Sequence, residues 1–121
     1  MAAPNVVSVA TITGKTAVQS VGTSVTAIVT NSSGSNKVYK VNALYVSNID
    51  GAADASITVD LARPMSGTPV AYHIAKTIVV PANATLDVLS KPVYLEEDDA
   101  IRLTGSAAGD LQAVCSYEEI S

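Results

Sequence analysis

From Thr77 to Ile120 the sequence TIVVPANATLDVLSKPVYLEEDDAIRLTGSAAGDLQAVCSYEEI breaks into apolar runs too short for helices, each bounded by Pro, Asn, Asp or Gly. That pattern predicts four short strands. VPANATLDVL joins the first two, LEEDDAIRL joins the next two through an acidic corner, and GSAAGD makes the last turn before LQAVCSYEEI. The corner follows from parity. Val93, Leu95, Ile101 and Leu103 alternate on one face, so an unbroken strand would also carry Glu97 and Asp99 into the core, which the cost of burying charge opposes. The chain is expected to turn there, with its carboxylates solvated.

The first half continues the pattern. Val7, Val9 and the following ATIT predict a strand ending at Gly14, and the runs Ala17 to Ser20 and Val25 to Thr30 flank Gly22 as either a hairpin or one kinked strand. NSSGSN, from Asn31 to Asn36, reads as a polar loop. KVYKVNALYVSNI, Lys37 to Ile49, is the longest predicted strand; its apolar phase shifts from Tyr39 and Val41 to Leu44 and Val46, so a bulge is expected near Asn42. DGAAD then leads into ASITVDLA, where Ile57, Val59 and Leu61 point one way and Thr58 and Asp60 the other, toward solvent or a partner. These two strands are expected to pair as a hairpin. RPMSGTP is a loop with two prolines, and VAYHIA is the next strand. About eight strands result, with helix nearly absent and no repeat or linker. The chain reads as a single all-β domain over residues 1 to 121, an antiparallel β-sandwich.

Composition limits what such a sandwich can be. Apolar residues make up 48% of the chain, but Phe and Trp are absent and Tyr occurs five times. A core of Ala and Val buries little area per residue, and at roughly 25 cal/mol per Å² it leaves a thin margin for a lone monomer. Further burial in a homo-oligomer is expected. Seven basic against eleven acidic residues give a net charge of −4 with no basic run, which argues against a nucleic-acid partner. The start MAAPNVVSVATITGK has no basic region ahead of an apolar one, and no stretch approaches 18 uninterrupted apolar residues, so neither export nor a membrane partner is expected. Cys115 is the single cysteine, which rules out an internal disulfide and suits synthesis in a reducing cytoplasm. The Asn-x-Ser/Thr triplets at Asn31 and Asn83 read as chance matches.

Candidate chemistry is sparse. Gly14, Lys15 and Thr16 mimic the end of a phosphate-binding loop, but that loop needs a glycine where Val9 stands. His73 has no ligand or triad partner at suitable spacing, and reads as a surface or strand-edge histidine. Cys115, between Val114 and Ser116, reads as a small buried hydrophobe with no adjacent base. Glu96, Glu97, Asp98 and Asp99 offer hard oxygen ligands for Ca²⁺, yet lack the alternating positions and central glycine of a dedicated calcium loop. Asp60, Asp87 and Glu118 are the carboxylates from which a glycosidase pair would be drawn, in a chain without the Trp platforms sugar sites commonly use. No cofactor is implied. Of the five tyrosines, Tyr39, Tyr72, Tyr94 and Tyr117, together with Val6 and Val7, are the candidates for a subunit interface.

The segments VYKVNALYVSNIDGAADASITVDL, AYHIAKTIVVPANATLDVL and PVYLEEDDAIRLTGSAAGDLQAVCSYEEI together resemble small virion structural proteins of tailed bacteriophages, notably those infecting cyanobacteria. The resemblance covers Val38 to Ile120. It implies a jelly-roll-like β-sandwich, homotrimeric in many members, that decorates a particle and has no catalytic residues. On that basis the chain is expected to be a capsid decoration or cement protein, made in the host cytoplasm and resident in the virion. Its partners would be copies of itself and the major capsid protein or other virion proteins. Residues 1 to 9, free of charged side chains, would form an arm along a neighbouring subunit. The alternatives are a neck, tail or fibre component, and a host-glycan-binding module.

Overall fold

The computed structural model describes residues 11–121, so the expected arm and the interface candidates Val6 and Val7 lie outside the described residues. Nine strands and no helix are found there: β1 (Ile12–Val21), β2 (Thr26–Asn31), β3 (Val38–Asn48), β4 (Ala55–Ala62), β5 (Ala71–Val80), β6 (Thr85–Asp87), β7 (Val93–Leu95), β8 (Asp99–Gly105) and β9 (Leu111–Ile120). Every pairing is antiparallel. One sheet runs β1-β9-β3-β6, with β7 also on β3, and the other runs β2-β8-β4-β5. This is the double-sheet jelly roll, in which most connections cross from one sheet to the other.

That crossing corrects two expectations. The strands before and after Gly22 are neither a hairpin nor one kinked strand, because β1 pairs with β9 and β2 pairs with β8 in the opposite sheet. Likewise β3 and β4 do not form a hairpin; they belong to different sheets, and β4 pairs with β8 and β5. In both places the local turn chemistry is real, but the apolar face of each strand is buried by the facing sheet. The first strand also does not stop at Gly14. Opposite β9 it continues through Gly14 in unbroken register to Val21. The bulge near Asn42 is present, as a register shift between Val41 and Ala43 against β9.

The core is built from the inner faces of both sheets, with Val41, Leu44 and Val46 on β3 facing Ile57 and Val59 on β4 and Ile101 and Leu103 on β8. Cys115 belongs to this core and is fully buried. No aromatic ring is fully buried among the described residues. Packing is tight where β8 ends: a Cβ on Gly105 would sit 3.2 Å from Val21 Cγ1 and 3.3 Å from the Gly22 carbonyl, whose oxygen Gly105 N–H reaches at 2.8 Å. A side chain there has no room unless its neighbours yield.

Two buried asparagines tie the sheets together at opposite ends of β3. Asn31, closing β2, donates through Nδ2 to the carbonyls of Lys37 (2.9 Å) and Leu95 (3.1 Å). Asn48, closing β3, donates to the carbonyls of Ala53 (3.0 Å) and Val80 (2.9 Å). Among the described residues no buried side-chain nitrogen or oxygen lacks a partner. Asn31→Ala would leave carbonyls unpaired in the interior, at about 2 kcal/mol. Leu44→Ala opens a cavity between the sheets and costs about 3 kcal/mol. Urea unfolding of both variants checks this; an Asn31→Ala midpoint equal to wild type would remove the tie from the account.

Candidate functional site

The acidic corner is a structural knot. Between β7 and β8 the chain turns through Glu96–Asp98, and Asp98 takes a positive φ of 69° that aspartate tolerates better than most residues. Asp99, expected in solvent, is fully buried. Its burial is offset by Arg63, which donates through Nε (2.8 Å) and Nη2 (2.5 Å), and by the Glu96 N–H (2.8 Å). The same guanidinium reaches Glu96 at 2.8 Å. Asp98 accepts from the Ser66 N–H (2.9 Å) and hydroxyl (2.6 Å), while Glu97 accepts the Asn36 N–H at 2.8 Å. All four carboxylates thus bind protein donors and clamp the loops at 31–37 and 63–70 to the corner. Among the described residues no group of three or more His, Cys, Asp or Glu side chains is arranged to hold a metal ion.

The other sequence candidates are dispersed. Gly14, Lys15 and Thr16 lie within extended β1, where the backbone cannot curl around a phosphate. Asp60, expected to face solvent or a partner, is buried and accepts from Arg102 Nε at 2.7 Å; it keeps the parity of Thr58, but the cross-strand arginine covers it. Asp87 and Glu118 lie beside Tyr45 and Lys40 of β3, roughly 16 Å apart along the strand. They do not form a pair. His73 and Tyr72 are exposed on the edge strand β5. With Leu61, Arg63, Ile74 and Val93 they line a groove of about 550 Å³ between the sheets.

Tyr39 and Tyr117 stack with ring centroids 5.5 Å apart, and Glu119 beside them accepts from Lys37 (2.6 Å) and Lys15 (3.0 Å). The two lysines hold the Glu119 carboxyl below its usual range, Lys37 contributing first. Burial raises the Tyr39 phenol. Tyr94 is exposed on β7.

Sequence reasoning missed the outer face of the first sheet. Register aligns Val18 of β1, Val114 of β9 and Tyr45 of β3 in one cross-strand row, exposed by 74%, 40% and 43%. The row ends on β6 at exposed Asp87, opposite Tyr45; the flanking positions are Thr16, Ser116 and Ala43 on one side and Ser20, Gln112, Ser47 and Thr85 on the other, all uncharged. Single apolar residues in three distant strands carry no joint signal until the register is known.

No family model and no curated protein matches this chain. Among solved structures it is similar to a chain from Bacillus endospore appendages, described as a novel family of disulfide-linked pili. The two share 18% identity over 92% of this chain and 88% of that one, with a TM-score of 0.50. The likeness is one of fold.

Two outcomes follow from the knot. Arg63→Met strands the buried Asp99 carboxylate; with the guanidinium half exposed, the expected loss is about 2 kcal/mol, read by urea unfolding. Asp98 is held below the ordinary carboxylate range, first by the Ser66 hydroxyl and then by its N–H. The folded state therefore binds this proton less tightly than the unfolded chain. Its contribution is complete above about pH 4 and is lost as the pH falls through the depressed folded value. Between about pH 5 and pH 3 the Tm of Asp98→Asn should fall less than that of wild type; parallel slopes would refute the assignment.

Proposed function

We propose that this chain is a non-enzymatic structural protein of a tailed-bacteriophage virion, a decoration or cement subunit that packs on the assembled head. The observation that carries this reading is the exposed apolar row of Val18, Val114 and Tyr45 on the outer face of the first sheet, flanked on β1 and β9 by uncharged side chains, with Asp87 at its rim. Charge depletion around an apolar and aromatic centre is the composition of an interface core. The polar side chains that chemistry would need are committed elsewhere: Arg63, Asp98, Asp99, Asp60, Arg102 and Glu119 all serve internal ties. Its partners are copies of itself and the major capsid protein, and its place is the virion.

The mechanism is mass action. A subunit that binds only the closed lattice lowers the free energy of that state, by about 2.7 kcal/mol per site when its free concentration is a hundred times Kd. A thin core of small residues accords with a protein that completes its burial in an assembly.

The jelly-roll likeness to an appendage subunit favours a second reading, in which the chain is a repeating unit of a surface filament. Disulfide linkage does not transfer. The only cysteine, Cys115, is fully buried, and burial pushes its thiol up to about 11, far from the reactive thiolate. Immunogold electron microscopy of purified virions separates the readings. Regular gold over the head is expected; label confined to the neck or tail overturns decoration, and label on cell-surface filaments with none on virions moves the assignment to the second.

A further inference from the structure

The four sheet edges are not alike. Edge strands invite another strand, and proteins ordinarily blunt them with bulges, charges or short length. Among the described residues, β6 and β7 span three residues each, and β2 spans six with a register shift between Ala27 and Val29. β5 is long but broken twice in register; it carries Lys76 and places β-branched Thr77 at a strained φ of 52°. β1 runs ten residues with no register shift, and its one charged residue, Lys15, is tied to Glu119 of β9.

The backbone of β1 is aimed outward in a regular way. Thr11 and Ser121 exchange both N–H to carbonyl bonds, at 3.0 and 2.9 Å, so they form a hydrogen-bonded pair. Alternation along the unbroken ladder turns Thr13, Lys15, Ala17, Gln19 and Val21 toward β9. The N–H and C=O groups of Ile12, Gly14, Thr16, Val18 and Ser20 therefore face the edge on which no described strand pairs, and none of these residues is charged. Val18 is the most exposed large apolar side chain described, at 74%.

We infer that β1 is a self-docking edge, on which β1 of a second copy pairs antiparallel about a twofold axis at Thr16. Only an even register satisfies the outward groups, and centring it on Thr16 covers all five residues. Gly14 then lies opposite Val18 of the second copy, and Ile12 opposite its Ser20. The pairing is complementary in shape, since the space above Gly14, where a Cβ would meet nothing within 4 Å, accepts the exposed valine. It is also complementary in charge. Lys15, the one charged residue of β1, faces an alanine and is paired with Glu119 at 3.0 Å, so no like charges are directly opposed. The first sheet becomes continuous across the dyad, and the uncharged row of Thr16, Ser116 and Ala43 runs on into its own copy. A strand crossing β1 to β5 would instead meet two bulges.

Sedimentation velocity across a dilution series, together with oxidative cross-linking, tests this. Wild type should sediment as a reversible dimer of twice 12.3 kDa. Val18→Lys should weaken that dimer about 100-fold or more, whereas Ile78→Lys on β5 leaves it intact. Thr16→Cys should give a disulfide-linked dimer on a non-reducing gel, as facing residues there lie about 5.5 Å apart between Cα atoms; Thr26→Cys on β2 should not. A monomer or trimer for wild type, or a dimer indifferent to Val18→Lys, overturns the inference. A dimer without virion label, or virion label with a monomer, tells this inference apart from the virion reading.

Discussion

Two amide side chains hold the sandwich in register with itself. Asn31 reaches from β2 across to Leu95 on β7, and Asn48 reaches from β3 across to Val80 on β5, so each end of the longest strand is tied to the facing sheet. The core needs such ties because its side chains are small and interchangeable. Val, Leu and Ile faces slide past one another at modest cost, while a buried amide has one geometry in which its donors are satisfied. The acidic knot extends the Asn31 end: the Asp98 N–H donates to the Asn31 carbonyl at 2.7 Å, and Arg63 and Ser66 bring in the proline-containing loop.

This arrangement changes what the acidic cluster means. Four consecutive acidic residues invite either a cation or a solvated turn. In the fold they serve as acceptors that organise three loops, with Asp99 paired to a half-exposed arginine and buried at its own end. Polar ties inside one subunit engage Arg63, Arg102, Asp60, Asp98, Asp99 and Glu119, while Lys40, Asp87 and Glu118 lie on the outer face of the first sheet. Beside Val18 and Val114 that face carries no charge, since Lys15, Lys37 and Glu119 are gathered at the other side of the sheet's end; Asp87 bounds it at Tyr45.

Strand content and most turns were legible from residue pattern, since a run such as ASITVDLA between DGAAD and RPMSGTP admits little else. The bulge at Asn42 was legible because a phase shift in apolar residues has one cheap explanation. Pairing partners were not. Expecting a hairpin between β3 and β4 follows from their proximity along the chain, and the jelly roll defeats it by sending consecutive strands to opposite sheets. The burial of Asp60 and Asp99 was hidden for a related reason: Arg102 and Arg63 are 42 and 36 residues away in sequence.

Residue pattern alone was enough for an all-β chain of small-residue strands, with turns at its Gly, Pro, Asn and Asp clusters, because steric and burial preferences act over a few residues. Which strands pair, which carboxylates are buried and which apolar residues share a face emerge with the assembled sheets. Those outcomes depend on register between distant strands, and a shift of one residue would turn every side chain to the opposite side.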